Sequence, residues 1–182
     1  MSNRRVIVLG LLGLSATTLA GCMTKPLQPV RADGTYCYAY GRAYRQLLTC
    51  TTDPVPPSTV EAEAKQFQAD PSALTVYVIR RRWNDSDRAV PLVVDDRAPV
   101  TTVPRSFVRL RLRPGTHQLS VTWDSRLAGL RVSGGAGDVQ YVELNGMQWA
   151  WRTDYWFEQV ADDDGQVQAA RSKLIADVVV LR

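Results

Sequence analysis

The chain has 182 residues, of which 22 are Lys or Arg and 18 are Asp or Glu, so its formal net charge is +4 with the histidine neutral. This length fits one domain with a tether. The single histidine, His117, excludes a zinc site with two histidine ligands and any histidine-rich metal cluster. The basic residues do not belong to a recognisable nucleic-acid module, so we expect no nucleic-acid partner.

The N-terminal segment is typical of an export signal. Arg4 and Arg5 precede an apolar run that begins at Val6 and reaches Ala20. Because this run contains Gly, Ser and Thr and falls short of the ~20 residues that span a bilayer, it does not predict a transmembrane helix. We therefore expect a signal peptide over residues 1–21.

The apolar run ends in Leu19-Ala20-Gly21-Cys22, which resembles the lipobox of bacterial lipoprotein precursors. This resemblance implies cleavage between Gly21 and Cys22, a diacylglycerol on the Cys22 sulfur and acylation of the new amino terminus by a fatty acid such as palmitate. At about 0.8 kcal/mol for each buried CH₂, two or three chains anchor a protein almost irreversibly. Met23 stands where an aspartate would favour the inner membrane, so we expect the periplasmic face of the outer membrane. An ordinary secretory signal with a chance cysteine is the alternative.

Residues 22–57 are expected to form a lipidated tether with a closed loop. Cys37 and Cys50 are an even pair in an oxidising compartment, which predicts a disulfide that stabilises the fold by roughly 3 kcal/mol. Free or reactive thiols are the alternative, although the spacing is not Cys-x-x-Cys. Four tyrosines crowd the loop and either pack it on the domain or stack on a ligand. They are Tyr36, Tyr38, Tyr40 and Tyr44.

Residues 58–182 are expected to form a β-sandwich with one or two short helices. The Ser58-Thr59-Val60-Glu61 sequence predicts a capping box and a short helix that ends at Asp70-Pro71. From Leu74 onward, short segments rich in Val, Ile and Tyr predict strands separated by turns. Asp95-Asp96-Arg97 is a candidate tight turn between two of them. Many short strands of this kind are typical of a sandwich.

One predicted strand, over residues 107–113, presents a candidate binding surface. Its apolar face holds Val108, Leu110 and Leu112, and its other face holds Arg109, Arg111 and Arg113. This strict alternation predicts a half-buried strand. A row of arginines, with Arg80–Arg82 in a neighbouring strand, could meet lipid phosphates or peptidoglycan carboxylates. A solvated outer sheet face is the alternative.

A hairpin is predicted over residues 139–152, because Asn145-Gly146 suits a two-residue type I′ turn. That register places Trp149 and Trp151 on the same face as Leu144, so we expect both tryptophans to be buried. If they are exposed instead, they could stack on sugar rings as part of an aromatic cluster. Its members would be Trp149, Trp151, Tyr155, Trp156 and Phe157.

The remaining candidate sites give no catalytic or metal chemistry. Asp162-Asp163-Asp164-Gly165 predicts a solvated turn before a short helix at 166–175, because an EF-hand alignment would put Val160 and Arg171 at ligand positions. His117 shares a strand face with apolar residues, and the chain has no Gly-x-Ser-x-Gly elbow. We therefore expect a structural histidine, no enzyme activity, no metal and no cofactor.

Four motifs follow one another in the order Val76-Tyr77-Val78-Ile79-Arg80, Val93-Val94-Asp95-Asp96, Pro114-Gly115-Thr116-His117 and Ala136-Gly137-Asp138-Val139-Gln140-Tyr141-Val142. In this order, over roughly residues 60–180, they resemble the bacterial lipoprotein family built around the DUF2846 domain. The chain departs from that family at Asp96, where a glycine is preferred, and at Gln140, which replaces a tyrosine. The resemblance implies an envelope lipoprotein with an immunoglobulin-like or carboxypeptidase-regulatory-like β fold, and it supplies no catalytic residues.

Taken together, these features predict a non-enzymatic, lipid-anchored periplasmic lipoprotein that serves as an accessory or binding module. Its expected partners are the membrane, through the anchor, and either an envelope protein or peptidoglycan and lipid phosphates. The alternative is a structural subunit or assembly partner of a larger envelope complex that pairs through an edge strand.

Overall fold

The computed structural model describes residues 30–42, 44–81 and 88–181. The predicted signal peptide and the lipidation site, Cys22, lie outside the described residues. Within these ranges, no helix has the length and apolar character needed to cross a bilayer. Strands predominate and two helices are short, so the predicted mainly-β sandwich with short helices is confirmed.

The described elements follow one another along the chain as a β-hairpin, a helix, eight strands, a second helix and a last strand. They are β1 (Cys37–Arg42), β2 (Arg45–Cys50), α1 (Ser58–Ala64), β3 (Leu74–Arg80), β4 (Val90–Val94), β5 (Val100–Thr102), β6 (Ser106–Leu112), β7 (Gly115–Trp123), β8 (Arg126–Gly134), β9 (Val139–Gln148), β10 (Thr153–Val160), α2 (Asp162–Ala170) and β11 (Lys173–Val180).

Two sheets form the sandwich. The first has the strand order β10-β9-β3-β6-β11, in which β3 runs parallel to β9 and β6 runs parallel to β11. The second is antiparallel, with the order β5-β4-β7-β8. Alternating apolar residues point from both sheets into one core, for example Val76 of β3, Leu110 of β6 and Leu119 of β7.

Both helices cover the outer face of the five-stranded sheet. There Tyr77 and Tyr141 stack with their ring centroids 5.2 Å apart, and Ala64 of α1 and Ala169 of α2 pack in the same cluster. Gly165 allows α2 to approach this closely, because a Cβ at that position would overlap the Tyr141 side chain. The outer face that carries Arg109 is therefore largely covered by helices rather than solvated.

The disulfide hairpin is packed on the sandwich. Cys37 and Cys50 are directly opposite in the β1–β2 pair and form the predicted disulfide. Tyr36 and Tyr38 are buried in the main core, whereas Tyr44 is exposed. Packing on the domain, rather than ligand stacking, is therefore the role of the first two tyrosines.

The tight turn after β4 is confirmed. Asp95 and Asp96 both have positive φ, 48° and 57°, and the amide of Arg97 donates to the Val94 carbonyl over 3.0 Å. Positive φ at both central positions is the geometry of a type I′ turn, and aspartate tolerates it better than most residues. The chain therefore closes this turn without the glycine that the family resemblance would supply.

The predicted helix begins at Ser58, but the predicted capping box is wrong. Pro57 occupies the N-cap position, and no side chain caps the helix. Glu61 instead binds Lys65 of the same helix over 2.8 Å and also binds Lys173 of β11. Because Lys173 is buried, its ammonium needs a carboxylate partner, and Glu61 provides it.

The predicted turn at Asn145-Gly146 is also wrong. Strand β9 runs without interruption through both residues to Gln148, and the turn lies at 149–152, where the Trp149 amide donates to the Arg152 carbonyl over 2.7 Å. The longer strand lets β10 pair along its whole length and brings Phe157 opposite Leu144, against the core. This tertiary pairing outweighs the local turn preference of Asn-Gly.

The acidic run is the first turn of α2 rather than a solvated turn. Its three aspartates, Asp162–Asp164, lie at the helix N-terminus, where the helix dipole stabilises negative charge. The helix ends at Ala170, earlier than predicted, and the chain continues as β11.

Candidate functional site

Two of the three arginines of the predicted surface are hydrogen-bonded to carboxylates of the same chain. Arg109 is buried, and its Nε and Nη2 donate to the two carboxylate oxygens of Asp177 over 2.9 and 2.7 Å. Its Nη1 donates to Glu63 over 2.9 Å, and Arg111 donates to Asp177 over 2.9 Å. The hydrogen bonds that Arg109 donates to Asp177 raise the pKa of Arg109 against the effect of burial. Two of the three arginines are therefore neutralised by the chain itself.

Arg113 and Arg80 do not extend the predicted surface. Arg113 is exposed but lies beyond the end of β6. Arg80 is buried on the opposite face of the sheet, where its Nη1 donates to the Thr102 carbonyl over 2.8 Å. Arg82 lies outside the described residues. Arg109, Arg111 and Arg113 therefore do not form one exposed surface.

His117 has a structural role, as predicted. Its Nδ1 lies 2.5 Å from Oδ2 of Asp95, and its Nε2 lies 2.7 Å from the Arg113 carbonyl. Burial of Asp95 disfavours its charge, but the hydrogen bonds from His117 and from the Gln118 amide outweigh this and lower its pKa. The ring thus ties the β4–β5 turn to β7. Among the described residues, no group of three or more His, Cys, Asp or Glu side chains could hold a metal.

The expected burial of the tryptophan pair is wrong. Trp149 is 48% exposed and Trp151 is 82% exposed, because both lie in the turn after β9 instead of in a strand. The proposed aromatic cluster is also divided by the pleat of β10. Tyr155 and Phe157 pack against the core, and Trp156 points outward on the other face.

The hairpin tip between β7 and β8 is joined to the start of β10. Arg126 at the start of β8 binds Asp154 over 2.8 Å, and the neighbouring Leu127 is 73% exposed. Beside this contact is a cleft of about 210 Å³ whose lining includes Trp123 and Tyr155. We call Leu127, Trp149 and Trp151 the hairpin-tip surface. Its two tryptophans are exposed apolar groups at a protruding turn, which is typical of an interaction site.

A polar groove lies on the helix-covered side of the five-stranded sheet, at its β10 edge. It has a volume of about 460 Å³. Its lining includes Arg81, Glu143, Asn145, Trp156, Glu158 and Asp164. The sequence prediction missed this groove because it placed Asn145 in a turn. Once residues 139–148 are known to form one continuous strand, the period of two places Glu143 and Asn145 on the same face.

Comparison of the chain with protein-family models and with curated proteins gives no match.

Proposed function

We propose that this chain is a lipid-anchored lipoprotein of the bacterial cell envelope, of the DUF2846 kind, that acts as a non-enzymatic binding or accessory module. The observation that carries the anchor is the Leu19-Ala20-Gly21-Cys22 sequence behind an apolar run. Acylated Cys22 would hold the domain at the periplasmic face of the outer membrane. The disulfide between Cys37 and Cys50 agrees with an oxidising compartment.

Binding is favoured over catalysis by the state of the polar side chains. His117 uses both ring nitrogens in hydrogen bonds that join structural elements, so it is poorly placed to act as a general base. Arg109 and Arg111 are held by Asp177. The hairpin-tip surface instead presents two tryptophans and a leucine to solvent.

The hairpin-tip surface favours the second candidate function, a subunit or assembly partner of an envelope complex. Tryptophan is enriched among the residues that dominate binding energy at protein interfaces. Trp151 lies in a turn closed by a backbone hydrogen bond, so less backbone freedom is lost when a partner covers it.

Anchoring is tested by metabolic labelling with a palmitate analogue, followed by membrane fractionation. The wild-type protein should be labelled and sediment with membranes, whereas Cys22→Ala should take up no label. Cys50→Ala is the matched control and should still be labelled, because its cysteine lies in the folded domain. Label on the Cys22→Ala protein would contradict the proposal.

The two candidate functions are separated by crosslinking in intact envelopes followed by mass spectrometry. One dominant protein partner, lost in the Trp149→Ala/Trp151→Ala protein, would identify an assembly subunit. Recovery of peptidoglycan or lipopolysaccharide without a protein partner would support the binding module. Tyr44→Ala is a suitable control, since it removes an exposed aromatic residue from a different hairpin.

A further inference from the structure

The polar groove beside β10 is built from two cross-strand pairs. Glu143 lies opposite Glu158, and Asn145 lies opposite Trp156, in the antiparallel register of β9 and β10. Residues two apart on a strand share a face, so all four side chains point to the same side of the sheet. The rigid floor of the groove is therefore two strands, with Asp164 of α2 at its edge.

The charge of the groove is unbalanced. Three carboxylates line it, from Glu143, Glu158 and Asp164, against one guanidinium, from Arg81, which leaves a net charge of minus two. Arg81 binds the buried Glu143 over 3.3 Å. Like charges placed directly opposite on neighbouring strands destabilise a sheet, so the pair of glutamates favours a further cation.

An unused hydrogen-bond acceptor points to the same chemistry. Asn145 is only 3% exposed, and its Oδ1 is buried without a hydrogen-bond donor in the described part of the chain. Its Nδ2 lies 3.5 Å from Oε2 of Glu158, and this contact assigns the nitrogen, rather than the oxygen, of the amide to the side that faces Glu158. Asn145 lines the groove, so a donor supplied from the groove would satisfy this acceptor.

Trp156 supplies an aromatic surface next to these acceptors. It is 38% exposed and lines the same groove. A cation placed over the face of a tryptophan ring is attracted by the negative potential of that face. Carboxylates, an amide oxygen and an indole face are thus gathered in one place, and the guanidinium of Arg81 is bound to Glu143.

We propose that this groove binds a primary ammonium group, carried by a free amine or by an amine-bearing peptide side chain. An ammonium brings a full positive charge and three donors, which match Glu158, Asn145 Oδ1 and the ring of Trp156. A neutral sugar would leave the net negative charge of the groove unbalanced, whereas an ammonium offsets it. This inference deepens the proposed binding function and rests on it for the biological setting alone.

The test uses the purified protein and the indole N–H signal of Trp156 in NMR spectra, assigned by comparison with Trp156→Phe. The probes are 1,5-diaminopentane for a free amine, Nα-acetyl-lysine methylamide for a peptide side chain, 1-pentanol as an uncharged analogue and a trimer of N-acetylglucosamine. We expect a saturable shift with an amine and none with pentanol. The tighter of the two amines identifies the source of the ammonium.

Two variants decide whether the groove is the site. Glu158→Gln keeps the shape of the side chain and should weaken amine binding about tenfold, through loss of a charge-assisted hydrogen bond. Gln159→Ala is the matched control, because it changes an exposed neighbour on the opposite face of β10 and should leave the affinity unchanged. An affinity unchanged in Glu158→Gln, a saturable shift with the glycan trimer alone, or no shift with either amine would overturn the proposal.

This experiment is independent of the membrane anchor. Amine binding without palmitate label would support the ammonium site and contradict the lipid anchor. Palmitate label without amine binding would support the anchor and contradict the ammonium site.

Discussion

Arg109 of β6 and Asp177 of β11 face each other across a parallel strand pair and join through two hydrogen bonds, 2.9 and 2.7 Å long. Both side chains are almost fully buried beneath α1, and the exposed Glu63 of that helix completes the coordination of the guanidinium. The pair therefore fastens the edge strand β11 to the sheet and holds α1 above it.

Removal of Asp177 should destabilise the protein far more than removal of Glu63. Asp177→Ala leaves a buried guanidinium with one exposed partner, and we expect a loss of about 3 kcal/mol in the free energy of unfolding. Glu63→Ala removes an exposed partner and should cost about 1 kcal/mol or less. Urea unfolding followed by circular dichroism measures both, and equal losses would contradict the role given to Asp177.

The strands of the sandwich are predictable because they depend on local pattern. Alternation in residues 107–113 predicts β6, and the Asp95-Asp96 pair predicts the turn after β4, since both signals lie within a few residues. The disulfide follows from cysteine count and compartment. These features are confirmed.

The candidate site is not predictable in the same way because it depends on which strands are neighbours. Glu143 and Glu158 meet only in the β9–β10 register, and that register contradicts the turn preference of Asn145-Gly146. The sequence pattern predicts that Arg109 is exposed, but the helices cover its face of the sheet. Both errors arise where tertiary pairing outweighs a local signal.

The close packing of α2 on β9 predicts an effect at Gly165. A methyl group there would overlap the side chain of Tyr141, so Gly165→Ala should displace the helix and lower the free energy of unfolding by about 1–3 kcal/mol. Gly135→Ala is the control, because its new Cβ would make only ordinary contact with Asp138. Thermal unfolding distinguishes the two, and a Gly165→Ala protein as stable as the control would show that α2 does not press on Tyr141.

The disulfide hairpin should depend on its covalent link. An isolated two-stranded sheet is marginal in water, and β1 pairs only with β2. Replacing Cys37 and Cys50 together by alanine should lower the free energy of unfolding by roughly 3 kcal/mol. Dithiothreitol should lower the urea midpoint of the wild-type protein toward that of the variant and leave the variant unchanged. A wild-type midpoint insensitive to the reductant would contradict this role.

The contact between Asp95 and His117 predicts a stability difference that depends on pH. Burial disfavours the Asp95 carboxylate, but hydrogen bonds from His117 and the Gln118 amide outweigh it and hold the pKa of Asp95 below its ordinary value of 3.8. A carboxyl whose pKa is lower in the folded state binds fewer protons there than in the unfolded chain. Its contribution to stability is therefore complete above pH 3.8 and is lost as the pH falls through the folded-state pKa.

Comparison of the wild-type protein with Asp95→Asn tests this sign. The wild-type protein should be more stable at neutral pH, and the gap in free energy of unfolding should close in acid, below pH 3.8. Asp96→Asn, a change of the exposed neighbour in the same turn, is the control and should show a smaller gap at neutral pH. Urea unfolding at a series of pH values gives the gap directly. A gap for Asp95→Asn that stays constant into acid would mean that His117 holds the turn through shape alone, without stabilising the charge of Asp95.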